Sequence, residues 1–350
     1  MSSPDTPRAF KQRVSALFLA LFTVNALAWL WALIAFRDYP LLLGTAVLAY
    51  SFGLRHAVDA DHIAAIDNAT RKLIADGQPT ASVGLFFSLG HSSVVILASL
   101  AIALSASRVQ AQLEAFHGIG GLIGTTVSAT FLLLVALLNL IILRSVYRAF
   151  RRARQGERVG EAELHGLLAG SSLIARLVRP LFRLIRRSWQ LYPLGFLFGL
   201  GFDTATEIGL LGISAAQAAQ NLPIWSILVF PALFTAGMAL VDSADSVLMT
   251  GAYRWAQVRP ARKLYYNLTI TSASVLVALL VGGMEALHLL AEQLGLDGPV
   301  WRFVAALNEN FGLLGYLIVG LFAGTWLLSW AFYRYKGYDR LDLAPAGTAQ

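Results

Sequence analysis

Cysteine is absent from this 350-residue chain, which excludes a disulfide framework, an iron–sulfur cluster and any thiolate metal site. Charge is scarce as well. Only 13% of the residues are Asp, Glu, Lys or Arg, against 57% hydrophobic, a balance too apolar for a soluble domain of this length. The apolar runs are continuous rather than alternating, so they do not read as strands of a membrane barrel. No Walker A pattern occurs, so the chain is not expected to hydrolyse ATP, and no HExxH pattern of an intramembrane zinc protease is present. Six histidines, three of them isolated in the sequence, do not make the histidine boxes of a membrane di-iron enzyme. No enzymatic activity is therefore expected. A cleavable signal peptide is also not expected, because the apolar run after Arg8, Lys11 and Arg13 is too long for one.

What is there is membrane sequence. A bilayer-crossing helix needs about 20 mostly apolar residues. Such stretches lie near 14–36, 41–66, 81–104, 119–143, 191–216, 224–251, 266–290 and 311–333. The expected fold is all-α, a polytopic membrane protein with about eight transmembrane helices. Basic residues alternate between the connections. The N-terminal tail has Arg8, Lys11 and Arg13. The second loop has Arg71 and Lys72, and the fourth, residues 144–190, holds eleven arginines. The sixth has Arg254, Arg259, Arg262 and Lys263, and the C-terminal tail has Arg334, Lys336 and Arg340. The intervening loops carry few. The positive-inside rule then puts both termini in the cytoplasm, which requires an even number of spans. The net charge of +7 reads as a topology signal and anionic-lipid contact rather than nucleic-acid binding. Residues 1–340 form one expected transporter domain, and 341–350 a flexible tail. Within the arginine-rich loop, Leu164, Leu167, Leu168, Ser171, Ile174, Leu177 and Val178 recur at the spacing of an amphipathic surface helix.

Ionisable groups fall inside the spans. RHAVDADHIAAIDN places Arg55, His56, Asp59, Asp61, His62 and Asp67 on the second. His91 is on the third, Asp203 and Glu207 on the fifth, and Asp242 and Asp245 on the sixth. Insertion costs about 2.5 to 3.5 kcal/mol for each aspartate at a helix centre, so these groups must face one another, water or a cation. At 100° per residue His56, Asp59 and His62 share one arc of a helix, whereas Asp61 does not, so either the helix is distorted there or Asp61 serves another partner. Asp203 and Glu207 share a face at i, i+4, as do Asp242 and Asp245 at i, i+3. Imidazole with carboxylate suits nickel, cobalt, zinc or manganese and not copper(I). His117, His165 and Glu285 are expected at interfaces with no special role. FGLRHAVDADHI (52–63) also echoes FGLGFDTATEI (198–208), as an inverted repeat would.

Four of these segments, RHAVDADHI, FSLGHSSVV, LGFDTATE and GMALVDSADS, resemble the signatures of the nickel/cobalt transporter family, in that family's order and along essentially the whole chain. The family's HX4DH motif matches His56, Asp61 and His62. The resemblance implies that these, with Asp59, His91, Asp203, Glu207, Asp242 and Asp245, serve transport, and Asn25 matches the family's first-span asparagine. It also implies a kink that brings His56, Asp61 and His62 together. The function expected on this basis is secondary import of Ni²⁺ and/or Co²⁺ by a multi-pass protein of a prokaryotic cytoplasmic membrane. The metal is cargo, with no permanently bound cofactor, and the partners are the metal ion and the lipid bilayer, with no nucleic acid. The alternative is efflux, but related exporters tend to carry a histidine-rich loop, and the long loop here has His165 alone.

Overall fold

A computed structural model describes residues 7–104, 110–154, 185–201, 204–256 and 260–335. All regular structure among the described residues is helical. The helices are α1 (Pro7–Ala35), α2 (Pro40–His56), α3 (Ala60–Ala75), α4 (Val83–Leu104), α5 (Gln110–Arg154), α6 (Leu191–Gly199) and α7 (Ala205–Ala219). They continue with α8 (Ile224–Ile227), α9 (Val229–Ala256), α10 (Pro260–Leu294), α11 (Pro299–Glu309) and α12 (Phe311–Tyr335).

Five helical segments are long and apolar enough to cross a membrane: those of α1, α4, α5, α8–α9 and α10. Two bent pairs, α2/α3 at 51° and α11/α12 at 74°, pass the same test together, which brings the number to as many as seven among the described residues. The stretch expected as a span at 191–216 is divided between α6 and α7. Residues 202–203 between them lie outside the described residues. The second expected span is thus two helices rather than one, and the reason is local. Val58 N–H and Asp59 N–H donate to carbonyls three residues back, on Arg55 and His56, the tight spacing of a 3₁₀ turn. Asp59 then takes an extended conformation (φ −64°, ψ 149°) as the N-cap of α3, a position aspartate favours.

Close packing depends on small residues, as in other membrane bundles. Ala32, Ala46, Ala49, Ala60, Ala64 and Ala65 are fully buried. Gly53 of α2 lies against the Phe234 backbone of α9, and Gly84 of α4 against the Asp242 backbone of α9. At either glycine an added Cβ would overlap the facing carbonyl. Large apolar side chains instead cover the outside, among them Leu19, Phe22, Leu27 and Leu30 of α1 and Leu276, Leu279 and Leu280 of α10. That distribution suits a lipid surround. α9 packs against α1, α2, α3 and α4, so it is the central post of the bundle.

Helix α5 runs on to Arg154, past the apolar window that ends at Ile141. Residues 144–154, expected as loop, are therefore helical, since arginine is a good helix former. The rest of the arginine-rich loop through 184, with its expected amphipathic helix, lies outside the described residues, and so does the tail 341–350. Glu285, expected to have no special role, joins two helices. It is buried, and its Oε1 accepts a 2.9 Å hydrogen bond from Ser128 Oγ, tying α10 to α5.

Candidate metal centre

The break between α2 and α3 brings two histidines together that a continuous helix would hold apart along its axis. His56 ends α2 and His62 lies in the first turn of α3, and their ring centroids are 4.6 Å apart. His91, from the middle of α4, completes the group at 4.7 Å from His56 and 4.8 Å from His62. All three imidazoles are buried, and one nitrogen from each lies within 4.8 Å of the others. Gly84 and His91 are seven residues apart on α4 and share a face.

Carboxylates close the cluster from α7 and α9 and from the turn before α3. His91 Nε2 is 2.8 Å from Glu207 Oε1 and 2.9 Å from His56 Nε2. His56 Nε2 is 4.0 Å from the same Glu207 oxygen. These three separations form a triangle of two imidazole nitrogens and one carboxylate oxygen with no side longer than 4.0 Å. Protons alone satisfy the triangle poorly. His91 Nε2 carries at most one hydrogen, which can point to His56 or to Glu207 but not to both.

The Nδ1 atoms of His56 and His62 are held as well. His56 Nδ1 is 3.0 Å from Asp59 Oδ2, 3.3 Å from Thr204 Oγ1 and 3.2 Å from Thr206 Oγ1. His62 Nδ1 is 3.4 Å from Asp242 Oδ1. Thr204 Oγ1 donates to Glu207 Oε2 at 2.9 Å. Carboxylate on the far nitrogen of an imidazole fixes its tautomer and orientation, the usual second layer of a metal site. Asp61 and Glu207 each stand in the first turn of a helix, α3 and α7.

Among the expected site residues, the structure brings together His56, Asp59, His62, His91, Glu207 and Asp242. Asp61 flanks them, half-buried, with its Oδ1 enclosed and without a hydrogen-bond partner among the described residues. Asp245 lies one turn beyond Asp242 on α9, with its Oδ2 likewise enclosed and unpartnered. Asn25 serves a different contact: its Nδ2 donates to the carbonyls of Leu21 and Ala236, and its Oδ1 accepts from Tyr50, so it pins α1 to α9 and α2. Asp203 lies outside the described residues. Thr204 and Thr206 went unrecognised in the sequence, although both stand inside the LGFDTATE motif. The segments of the internal echo are both places where a helix breaks against the cluster.

A family model described as "High-affinity nickel-transport protein" matches residues 42–332. The chain is 58% identical to the "High-affinity nickel transport protein" of Cupriavidus necator over 97% of this chain and 96% of the other. It is 48% identical to the "Nickel transporter NixA" of Staphylococcus aureus over 90% and 93%. With the "Cobalt transport protein NhlF" of Rhodococcus rhodochrous it shares 41% identity over 84% of each. No solved structure matches the chain.

Proposed function

The chain belongs to the high-affinity nickel-transport protein family, and from that premise we propose that it is a secondary importer of Ni²⁺ and/or Co²⁺ in the cytoplasmic membrane of a prokaryote. The observation that carries this reading is the meeting of His56, His62 and His91 with Glu207 in a buried chamber between helices. Nitrogen donors with a carboxylate and no thiolate suit a borderline divalent ion. Relatives named for nickel and for cobalt support both as cargo.

In this reading His56, His62, His91 and Glu207 are the ligands that replace the ion's hydration shell. Asp59 and Asp242 orient the imidazoles, and Asp61 adds negative charge at the break. Asp203 and Asp245 belong to the transport set through their motifs, and Asn25 holds the first span in place. Broken helices that line a polar chamber inside the bilayer are a recurring transporter device, because backbone freed from helical pairing is tolerated only there. Entry of a divalent ion down a 100 mV inside-negative potential releases roughly 4 to 5 kcal/mol, which drives import without nucleotide hydrolysis. Both termini then face the cytoplasm, as the arginine distribution requires. No enzymatic step and no resident cofactor belong to this reading.

The test is radiolabelled nickel and cobalt uptake into liposomes containing the purified chain, with the potential set by a potassium gradient. Uptake that requires an inside-negative potential, and that each metal suppresses for the other, is expected. Liposomes that accumulate neither metal under that potential sink the proposal. Overexpression in cells separates the directions, since an importer raises metal content and metal sensitivity and an exporter lowers both.

A further inference from the structure

A small open-mouthed cavity adjoins the metal centre. Its lining includes Arg55, Asp59, Thr204, Thr206, Asn308 and Glu309. Two bends meet there. Gly312 and Gly315, at the start of α12, face the turn between α2 and α3. An added Cβ at Gly315 would overlap the Val58 carbonyl, and one at Gly312 would come within 3.1 Å of the Arg55 guanidinium and 3.2 Å of Asp59 Oδ1. The α11/α12 bend thus seats Asn308 and Glu309 over the break that makes the histidine cluster. Three of the lining residues touch His56 directly: Asp59, Thr204 and Thr206 all reach its Nδ1. The cavity and the centre therefore share a wall.

The polar groups of that lining are chosen for a cation. Asp59 and Glu309 carry two negative charges against the one positive charge of Arg55. Asn308 Oδ1 is enclosed and has no hydrogen-bond partner among the described residues, an expensive arrangement for an amide oxygen unless a ligand satisfies it. Glu309 is exposed at the mouth. α11 belongs to the connection that the arginine distribution places opposite the cytoplasm. Oxygen donors that leave room for water suit an ion that still carries part of its shell, whereas the histidines beyond suit a stripped one.

We propose that this cavity is an outer capture site for a partly hydrated divalent transition-metal ion, held by Glu309, Asn308 and Asp59 and passed along Asp59 and Thr206 to His56. The proposal rests on the transport reading above, and its test separates the two. Glu309→Gln and Asn308→Ala are measured for nickel uptake against wild type. The expected result is a half-saturating nickel concentration raised about three- to tenfold, more than any change in maximal rate, as loss of a binding contact made before translocation requires. Because the chain has no cysteine, Glu309→Cys carries a single thiol. A membrane-impermeant maleimide applied to intact cells is expected to label Glu309→Cys, at the exposed mouth, and to block its uptake. Wild-type half-saturation in Glu309→Gln and Asn308→Ala overturns the capture site. So does labelling that occurs only from the cytoplasmic face, or not at all, or that leaves uptake at its unlabelled rate. If wild type moves no metal, the transport reading falls by itself, while the labelling still reports to which side the cavity opens.

Discussion

Helix α3 carries two buried polar clusters, and their hydrogen bonding differs. Around Asp67 every carboxylate oxygen is engaged: Oδ1 accepts from Tyr253 at 2.7 Å and Oδ2 from Ser274 at 2.6 Å. The neighbouring Asn68 donates to the Ala64 carbonyl and accepts from Asn139 at 2.8 Å and Arg71 at 3.2 Å. Around His62 the atoms are left over. His62 Nε2, His91 Nδ1 and Asp61 Oδ1 are enclosed without hydrogen-bond partners among the described residues. Both clusters cost desolvation, and the Asp67 carboxylate recovers it wholly from protein donors, whereas these three atoms of the histidine cluster do not. A saturated carboxylate is an interhelical tie, whereas idle donors and acceptors gathered around histidines are shaped for something that is not protein. Composition alone does not separate them, since each contains an aspartate in the same amphipathic helix.

The largest effect that tests this contrast is loss of a ligand. His62→Ala is expected to lower nickel affinity and uptake by ~100-fold or more, since disturbing only the outer layer of a metal site already costs about 10- to 100-fold, while the thermal melting temperature in detergent stays near that of wild type. An unaltered affinity would place His62 with the structural groups and erase the distinction. Acidification comes next. Imidazole binds metal only when neutral, and its ordinary pKa is about 6.5, so affinity is full above neutrality and falls as protons compete below about pH 6. Binding titrations of the solubilised protein that stay flat from pH 7.5 to about 5 would remove the histidines from the ligand set.

Asp67→Asn should do the reverse of His62→Ala. It keeps one acceptor oxygen and turns the other into an NH₂ facing a hydroxyl donor, so one of the two hydrogen bonds is lost, which costs about 1 to 3 kcal/mol of stability and lowers the melting temperature, with nickel affinity retained in the protein that remains folded. Loss of nickel binding without loss of stability would show that the saturated cluster also belongs to the metal path. The smallest effect is expected from Thr206→Val, which removes one hydroxyl from His56 Nδ1 and leaves Asp59 in place. A drop in nickel affinity of up to about tenfold follows, measured by the same titration, with His62→Ala as the reference for a full ligand.

Much of the chamber was legible along the chain because residues a few positions apart must be close. Helical spacing put His56, Asp59 and His62 on one arc, although only the break between α2 and α3 brings the two histidines together, and intramembrane charge marked His91, Glu207 and Asp242 as candidates. Other assignments needed contacts between distant segments. Asp61 looked misplaced on an ideal helix, and the break at 57–59 shows why the ideal helix does not apply. Asn25 looked like a member of the site and lies instead in a tie to Tyr50 and Ala236. Thr204 and Thr206 carried no signal of their own, because an uncharged hydroxyl in a span is cheap enough to need no explanation.

Composition and order along the chain were sufficient to establish a helical membrane protein, the kinds of donor it offers and the class of ion they suit, since those follow from transfer energies and ligand chemistry residue by residue. Which donors share one ion, which carboxylate orients an imidazole and which merely ties two helices was decided by tertiary packing. That is so because α2, α3, α4, α7 and α9 each bring one edge of the centre, and angstrom-scale separations between segments more than a hundred residues apart are set by where glycine and alanine let backbones touch.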